Sequence, residues 1–207
     1  MQQLSQVQNI PDNAINQCWV LDNAITQEKC DWILSLAEDK WESGKVGGPA
    51  KNETKSEEWI IKEQVRKSEV VFTDDDSLYD LVWWFVNNAN EQAMWKFQLD
   101  SCQSMQITRY GVGGYYDFHI DGNGFTREIS NSRSATNFKT RKLSMSIVLN
   151  NDFEGGEFEF LGSETELIKA KAGTVIVFPS YLQHRVRPVT KGVRHSLVVW
   201  FCGEPFI

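Results

Sequence analysis

A chain of 207 residues is long enough to bury one sizeable core, and its net charge of -7, with acidic and basic residues interspersed, offers no basic stripe to neutralise phosphates; nucleic acid is therefore not an expected partner. The four cysteines, Cys18, Cys30, Cys102 and Cys202, form no CxxC pair, which excludes a zinc knuckle or a dithiol redox motif and reads as reduced core thiols. Met1 to Gln6 has no basic or apolar leader pattern and no apolar run approaches bilayer length, so the expectation is a cytoplasmic protein with no membrane partner.

The first predicted element is a helix that follows Thr26 as N-cap, with Glu28 in its first turn and Cys30, Ile33, Leu34, Ala37 and Trp41 on one apolar stripe. Residues 43 to 58 are rich in Gly, Lys and Glu without periodicity and read as a mobile surface loop, and Val65 to Phe72 reads as an edge strand. A second helix spans about Ser77 to Trp95 behind the acidic run Asp74-Asp75-Asp76. Leu78, Leu81, Val82, Phe85, Ala89 and Ala93 form its apolar face, widened by Trp83 and Trp84.

From Cys102 the pattern changes to short strands: Met105 to Tyr110, Tyr115 to Ile120, Leu143 to Leu149, Gly156 to Phe160, Thr165 to Ala170, Thr174 to Phe178, Gln183 to Val189 and Arg194 to Phe201. Gly111, Gly113 and Gly114 permit positive φ at one turn, Glu154-Gly155-Gly156 makes another, and Pro179 stops a ladder. So many strands in about half the chain indicate a closed or double-sheet barrel, mainly β with flanking helices. A single domain over 1–207 is expected, with helical support over about 1–101 and the β core over about 102–207. The segment Gly122 to Thr140, rich in Ser, Asn, Thr and Gly, is a candidate lid.

Alternate residues on a strand share a face, so His119 and Asp121 project together if Ile120 points the other way into apolar packing. His184, on a later strand, completes a set of two imidazoles and one carboxylate that occupies one face of an octahedral metal ion. The three open positions accommodate a bidentate 2-oxo acid together with dioxygen. Arg194 opens an otherwise apolar strand on the side shared by Ser196, Val198 and Trp200, and no carboxylate in the nearby sequence is an obvious partner for it. A dicarboxylate co-substrate would offset the cost of burying its guanidinium, and the Ser196 hydroxyl would add a donor. A distant acidic side chain would do the same as a structural salt bridge. Tyr110, read alone, is core; His195 faces away from Arg194; the tryptophans at 19, 32, 41, 59, 83, 84 and 95 are packing residues, and Trp200 is the exception. No HExxH is present to support a zinc hydrolase.

The run Tyr110-Gly111-Val112-Gly113-Gly114-Tyr115-Tyr116-Asp117-Phe118-His119-Ile120-Asp121 resembles a segment of the prolyl 4-hydroxylase-like Fe(II)/2-oxoglutarate-dependent oxygenases. Arg141-Lys142-Leu143-Ser144, Phe153-Glu154-Gly155-Gly156-Glu157, Ala172-Gly173-Thr174, His184-Arg185-Val186 and Gly192-Val193-Arg194 resemble the later segments in the same order. The resemblance covers residues 103 to 203 and implies a double-stranded β-helix (jelly-roll) core. It further implies Fe(II) on His119, Asp121 and His184, 2-oxoglutarate on Arg194, Tyr110 near the co-substrate, Trp200 lining the pocket and ascorbate as a possible reductant. The implied reaction is dioxygen-dependent hydroxylation of a prolyl residue in a peptide or protein; a free amino acid or other small molecule, or a non-catalytic binding module on the same fold, are the alternatives. Val148 stands where the family often has a tyrosine that helps the arginine, which leaves Ser196 as the replacement.

Overall fold

The computed structural model describes residues 17–37, 40–44, 65–122, 139–162 and 167–206. Its strands in chain order are β1 (Trp19–Leu21), β2 (Glu42–Ser43), β3 (Arg66–Lys67), β4 (Glu69–Thr73), β5 (Ser101–Cys102), β6 (Met105–Tyr110), β7 (Tyr115–His119), β8 (Thr140–Val148), β9 (Phe153–Gly155), β10 (Phe158–Phe160), β11 (Val175–Pro179), β12 (His184–Val186), β13 (Val189–Gly192) and β14 (Arg194–Gly203); two helices, α1 (Gln27–Ser35) and α2 (Asp76–Gln92), precede most of them.

Both helices start where their caps dictate. Thr26 is extended and accepts the Lys29 amide at 3.3 Å, and Asp75 accepts the Ser77 amide at 2.9 Å. The acidic run before α2 therefore supplies its N-cap, with Asp76 in the first turn where the helix dipole favours negative charge.

One antiparallel sheet runs β1-β11-β8-β14-β6-β4-β2, with β5 also paired to β14; a smaller one runs β10-β12-β7-β3; β9 and β13 form a two-stranded antiparallel sheet. The large sheet has two faces of different character. Leu143, Met145 and Ile147 of β8 and Leu197, Val199 and Phe201 of β14 join Cys30 and Ile33 of α1 and Leu78, Val82, Phe85 and Ala89 of α2 in the main core. Their strand neighbours face the small sheet instead. Tyr110, Ile176 and Phe178 of the large sheet pack there with Phe158, Phe160 and Val186 of the small one. Trp19 ties β1 to α2 by donating to Gln92 Oε1 at 3.0 Å.

Several sequence expectations are corrected by pairing. Val65 to Phe72 is not one edge strand: β3 edges the small sheet and β4 sits inside the large one between β6 and β2. Gln183 to Val189 is interrupted at Arg187-Pro188 and yields β12 and β13 in different sheets, because proline has no amide to continue a ladder. Gly156 to Phe160 shortens to β10, since Gly155 and Gly156 adopt φ of 75° and 67°. Of Thr165 to Ala170 the described part holds only a bridge from Ile168 to Phe158. Of the three glycines after Tyr110, only Gly113 has positive φ. Trp83 packs edge-on to Phe201, but Trp84 is 52% exposed and does not widen the apolar face of α2. Most of the 43 to 58 loop, nearly all of the candidate lid, and Trp59 lie outside the described residues. The described cysteines carry free thiols, and no helix among the described residues is long and apolar enough to cross a membrane.

Ile147 is fully buried between α1 and α2 on one side and its strand partners Val175 and Leu197 on the other. Ile147→Ala should cost about 2–5 kcal/mol of unfolding free energy. Leu161→Ala, at a side chain 54% exposed, should stay within about 0.5 kcal/mol of the parent. Urea denaturation of the two variants checks both expectations.

Candidate active site

The register of the small sheet places His184 of β12 directly opposite His119 of β7. Two residues further along β12, Val186 pairs with Tyr116, three residues back on β7, so β7 carries one extra residue between the two pairs. Such a bulge re-aims the side chains around it. It lets Tyr116 and His119 stack on the same side with ring centroids 3.4 Å apart and planes within 11°, which strict alternation would forbid. Asp117 stabilises the irregularity, its side chain accepting the Phe118 amide at 2.8 Å.

Past the end of β7 the amides of Asp121 and Gly122 both donate to Ser180 O, at 3.0 and 2.9 Å. This clamp turns Asp121 inward. Its Oδ1 lies 3.5 Å from His119 Nε2 and its Oδ2 lies 3.6 Å from His184 Nε2. The candidate ligand atoms of the three residues all fall within 4.8 Å of one another. Ile120 points away as alternation requires, but into solvent, with 46% of its surface exposed, and not into apolar packing.

Each imidazole is held by its other nitrogen. His119 Nδ1 lies 2.8 Å from Asp117 O and His184 Nδ1 lies 2.9 Å from Leu182 O. A carbonyl can only accept, so Nδ1 carries the proton and Nε2 keeps its lone pair facing Asp121. Burial, with His119 adding to it against the opposing pull of Asp121, pushes the His184 pKa down to about 4 and keeps that ring neutral near neutral pH. For Asp121 burial acts to raise the pKa, but His184 and His119, which attract the carboxylate whenever their rings are protonated, and the charge of Arg141 together hold the carboxyl well below its usual range. Two imidazoles and one carboxylate that converge in this way fit a divalent ion such as Fe(II), which the three residues would hold.

The triad lines a cavity between the sheets. Tyr116, Phe158, Phe178 and Val186 wall one side; Tyr110, Gln106, Ser146, Ser196, Val198 and Trp200 wall the other. Phe158 lies parallel to His184 at 5.3 Å and Phe178 edge-on to it at 4.5 Å, which fixes the ring and keeps water from its flanks.

Arg194 is 1% exposed and opens β14 opposite Tyr110. Its Nη1 donates to Ser196 Oγ at 3.1 Å, and its guanidinium carbon lies 5.8 Å from the Tyr110 ring and 6.0 Å from the Phe153 ring. Among the described residues no acidic side chain pairs with it, so the distant salt bridge allowed by the sequence is not found there. Burial pushes its pKa down, yet the group stays a cation because its ordinary value is so high. Gly156 makes space for it: a Cβ there would come 2.7 Å from Arg194 Cδ. A buried guanidinium with unused donors fits a carboxylate ligand. Val148 is fully buried opposite Ser196, so the hydroxyl of Ser196 is the polar group beside Arg194. Trp200 Nε1 is buried without a partner at the cavity wall, under Arg141, whose guanidinium stacks on the indole at 4.0 Å. His195 faces the other way, near Trp41, with its amide donating to Asn150 Oδ1 at 2.8 Å.

The sequence reading did not single out Arg66, Gln106, Tyr116, Phe158, Phe178 or Arg141 as cavity residues. Tyr116 was hidden by the bulge, and Arg66 comes from a two-residue strand far from the other wall residues in sequence. The register opposite Val186 is the one signal for Tyr116, and it exists only after folding.

Residues 105–202 match the family model described as the 2OG-Fe(II) oxygenase superfamily. Among curated relatives, a PKHD-type hydroxylase of Gloeothece citriformis is 37% identical over 100 residues, covering 47% of this chain and 41% of that protein. One from Xylella fastidiosa is 32% identical over 98 residues, covering 46% and 42%. The chain thus spans about two fifths of the length of the curated relatives it matches. Among solved structures, a viral collagen prolyl hydroxylase from Paramecium Bursaria Chlorella virus-1, in its 2OG complex, aligns with a TM-score of 0.62 at 20% identity, covering 91% of this chain and 97% of that one. A Pseudomonas putida prolyl-4-hydroxylase aligns with a TM-score of 0.60 at 18% identity, covering 89% and 91%. At these identities the structures show the fold alone: the β core is a jelly-roll like theirs.

Asp121→Ala removes the anionic donor and leaves only the two imidazoles, and should abolish most stabilisation by Fe(II) or Mn(II) in a thermal melt while the metal-free protein still folds. His195→Ala should keep the metal-dependent rise in Tm. A metal response that survives Asp121→Ala, or disappears with His195→Ala, would contradict this arrangement.

Proposed function

We propose, from the match of residues 105–202 to the 2OG-Fe(II) oxygenase superfamily model, that this protein is an Fe(II)- and 2-oxoglutarate-dependent dioxygenase that hydroxylates a C–H bond of a prolyl residue in a peptide or protein. The observation that carries the reading is Arg194: a buried cation without an acidic partner among the described residues, joined through Ser196 to the wall of the cavity that holds His119, Asp121 and His184. A metal-binding fold without turnover would have no use for it. The prolyl assignment is supported by the names of the relatives: one aligned structure is a prolyl hydroxylase from Trichoplax adhaerens in complex with a peptide fragment of hypoxia inducible factor, with a TM-score of 0.60 at 14% identity, covering 90% of this chain and 83% of that one.

Fe(II) and 2-oxoglutarate, when bound, supply the oxidising chemistry that consumes dioxygen and gives succinate, carbon dioxide and a hydroxylated product. The chain supplies everything else. His119, Asp121 and His184 would hold the metal at the cavity, and the carbonyls of Asp117 and Leu182 fix the two rings with Nδ1 protonated, so that Nε2 would be the ligand atom. Arg194 and Ser196 take the distal carboxylate of the co-substrate, with Tyr110 beside them. The apolar walls of Phe158, Phe178 and Val186 exclude water that would compete for the reacting positions. Trp200 closes the cavity on the side of Arg141, with its indole N–H available to a bound ligand. Ascorbate as a reductant and a cytoplasmic setting belong to the same reading; the latter is supported by the free thiols of the described cysteines.

Turnover with Fe(II), 2-oxoglutarate and a panel of proline-containing peptides, read as succinate and a mass gain of one oxygen, tests the activity; absence of succinate with every substrate would favour a binding module. The co-substrate contact has its own test. Arg194→Lys keeps the charge but loses the fork, and at about 1.5–3 kcal/mol per charge-assisted bond it should weaken 2-oxoglutarate roughly ten- to hundredfold. Arg194→Ala should weaken it further. Metal affinity without 2-oxoglutarate should barely change in either variant, because Arg194 is not among the candidate ligands His119, Asp121 and His184. Anaerobic titration of Fe(II)-loaded protein with 2-oxoglutarate, followed by the charge-transfer absorption, measures both; unchanged affinity in a folded Arg194→Ala protein would remove the co-substrate assignment.

A further inference from the structure

Arg66 lines the same cavity as the triad and is 7% exposed. The pairing of β3 with β7 sets it opposite Tyr116, and its guanidinium carbon lies 4.7 Å from the Tyr116 ring. Because Tyr116 in turn stacks on His119, a guanidinium, a phenol and an imidazole of the triad form one continuous stack. Ser68 Oγ accepts from Arg66 Nε at 2.6 Å, and Gly44 leaves the space, since a Cβ there would come within 3.0 Å of that nitrogen. The plane of the guanidinium is thereby fixed while its terminal N–H groups keep no acidic partner among the described residues. Stacking on an aromatic face orients an arginine without consuming its edge donors.

On its far side Arg66 borders an open groove with Lys67, Ser68, Glu69, Arg109 and Tyr115. The one acidic side chain in that lining, Glu69, is 2.7 Å from Arg109 Nε and is already engaged. Lys67 has no acidic partner among the described residues. In a protein of net charge -7, Arg66 and Lys67 thus both border this groove without an acidic partner among the described residues. A cation nine-tenths buried without a counter-charge is costly unless a ligand supplies one.

We propose that Arg66 is a specificity-determining residue and that the substrate brings a carboxylate to it, close to the C–H bond that is hydroxylated. This rests on the hydroxylase reading and narrows it: a neutral proline-rich segment would leave Arg66 uncompensated, whereas an α-carboxylate on the hydroxylated residue, or the acidic side chain of its neighbour, would not. Arg66 acts here as a binding residue for substrate, distinct from Arg194, whose partner is the co-substrate.

Two matched pairs distinguish the sources of the carboxylate: L-proline against L-prolinamide, and N-acetyl-prolyl-aspartate amide against N-acetyl-prolyl-asparagine amide. Calorimetric binding to full-length protein loaded with Mn(II), with and without 2-oxoglutarate, needs no turnover. In one pair or the other the acid should bind about ten- to hundredfold more tightly than the amide, the size expected for a charge-assisted contact. Arg66→Gln should erase that preference, Arg66→Lys should keep part of it, and the affinity for 2-oxoglutarate should be unchanged in both. Equal binding of acid and amide in both pairs, no binding by any of the four, or a preference that survives Arg66→Gln would overturn the proposal. Failure of 2-oxoglutarate to bind the Mn(II)-loaded parent protein would instead count against the hydroxylase reading, and the pairs measured without it still judge Arg66.

Discussion

A carboxylate buried against two imidazoles is an unfavourable arrangement in the absence of a cation, since the charge has been taken from water and given only weak partners. Asp121 is in that position: its side chain is 7% exposed, and its two oxygens face His119 and His184 at 3.5 and 3.6 Å. The backbone enforces it. Two amides clamp onto Ser180 O, the β7 bulge aims His119, and the β7–β12 register brings His184 across. Both Nδ1–H groups are spent on carbonyls, which leaves two lone pairs and a carboxylate converging where a divalent ion resolves the conflict. The small sheet needs so few strands because its task is to hold these three side chains against the large one.

The large sheet separates stability from chemistry by the alternation of its strands. On β14, Leu197, Val199 and Phe201 face the helices, and Arg194, Ser196, Val198 and Trp200 face the cavity. On β8, Leu143, Met145 and Ile147 face the helices, and Ser144 and Ser146 lie on the other side, Ser144 hydrogen-bonded to Ser180 at 2.9 Å. The helix-facing layer is as apolar as any protein core. The cavity-facing layer is unusually polar for a sheet interior, which only makes sense if something polar occupies the space between the sheets. The same strand that anchors α1 and α2 thus carries the arginine on which the co-substrate assignment depends, and neither layer can shift register without displacing the other.

How much of this was legible in the sequence follows from which physical signals are local. Thr26 and the Asp74-Asp75-Asp76 run marked the helix starts because caps act within a turn. Met105 to Tyr110 and the start of β14 at Arg194 were read correctly because their period of two is strong, and that period placed His195 outside and Arg194, Ser196 and Trp200 inside. The order of the triad along the chain was readable for the same reason. What stayed hidden depends on partners. Arg66 and Phe72 look like parts of one strand until the pairing shows β3 and β4 leaving for different sheets. Tyr116 reads as facing away from His119 until the bulge is seen. Arg187-Pro188 looked like strand interior because two short strands in sequence have the same composition as one long one.

Charge around the cavity carries the argument one step further. Arg66, over Tyr116, lines it, and two further guanidinium groups lie against its wall residues: Arg194 next to Ser196, and Arg141 over Trp200 with its Nη1 on Asp121 O at 3.1 Å. Among the described residues Asp121 is the one acidic side chain lining the cavity, and a ferrous ion would bring one more positive charge than that single carboxylate neutralises. A dianionic co-substrate offsets only part of this excess. Effective dielectric inside a closed cavity is low enough that the remainder matters, and it would be felt most by whatever fills the last open space, which is the substrate. Arg141 is already engaged by Gln103 and the Asp121 carbonyl, and Arg194 by its site near Ser196. Arg66 is the guanidinium whose edge faces the cavity with its donors uncommitted among the described residues. An anionic group on the substrate is the simplest way to bring the field of this cavity back toward neutrality at the moment the site fills, and it would also make the filled state self-selecting, because a neutral ligand of the same shape would close the cavity over an unbalanced charge.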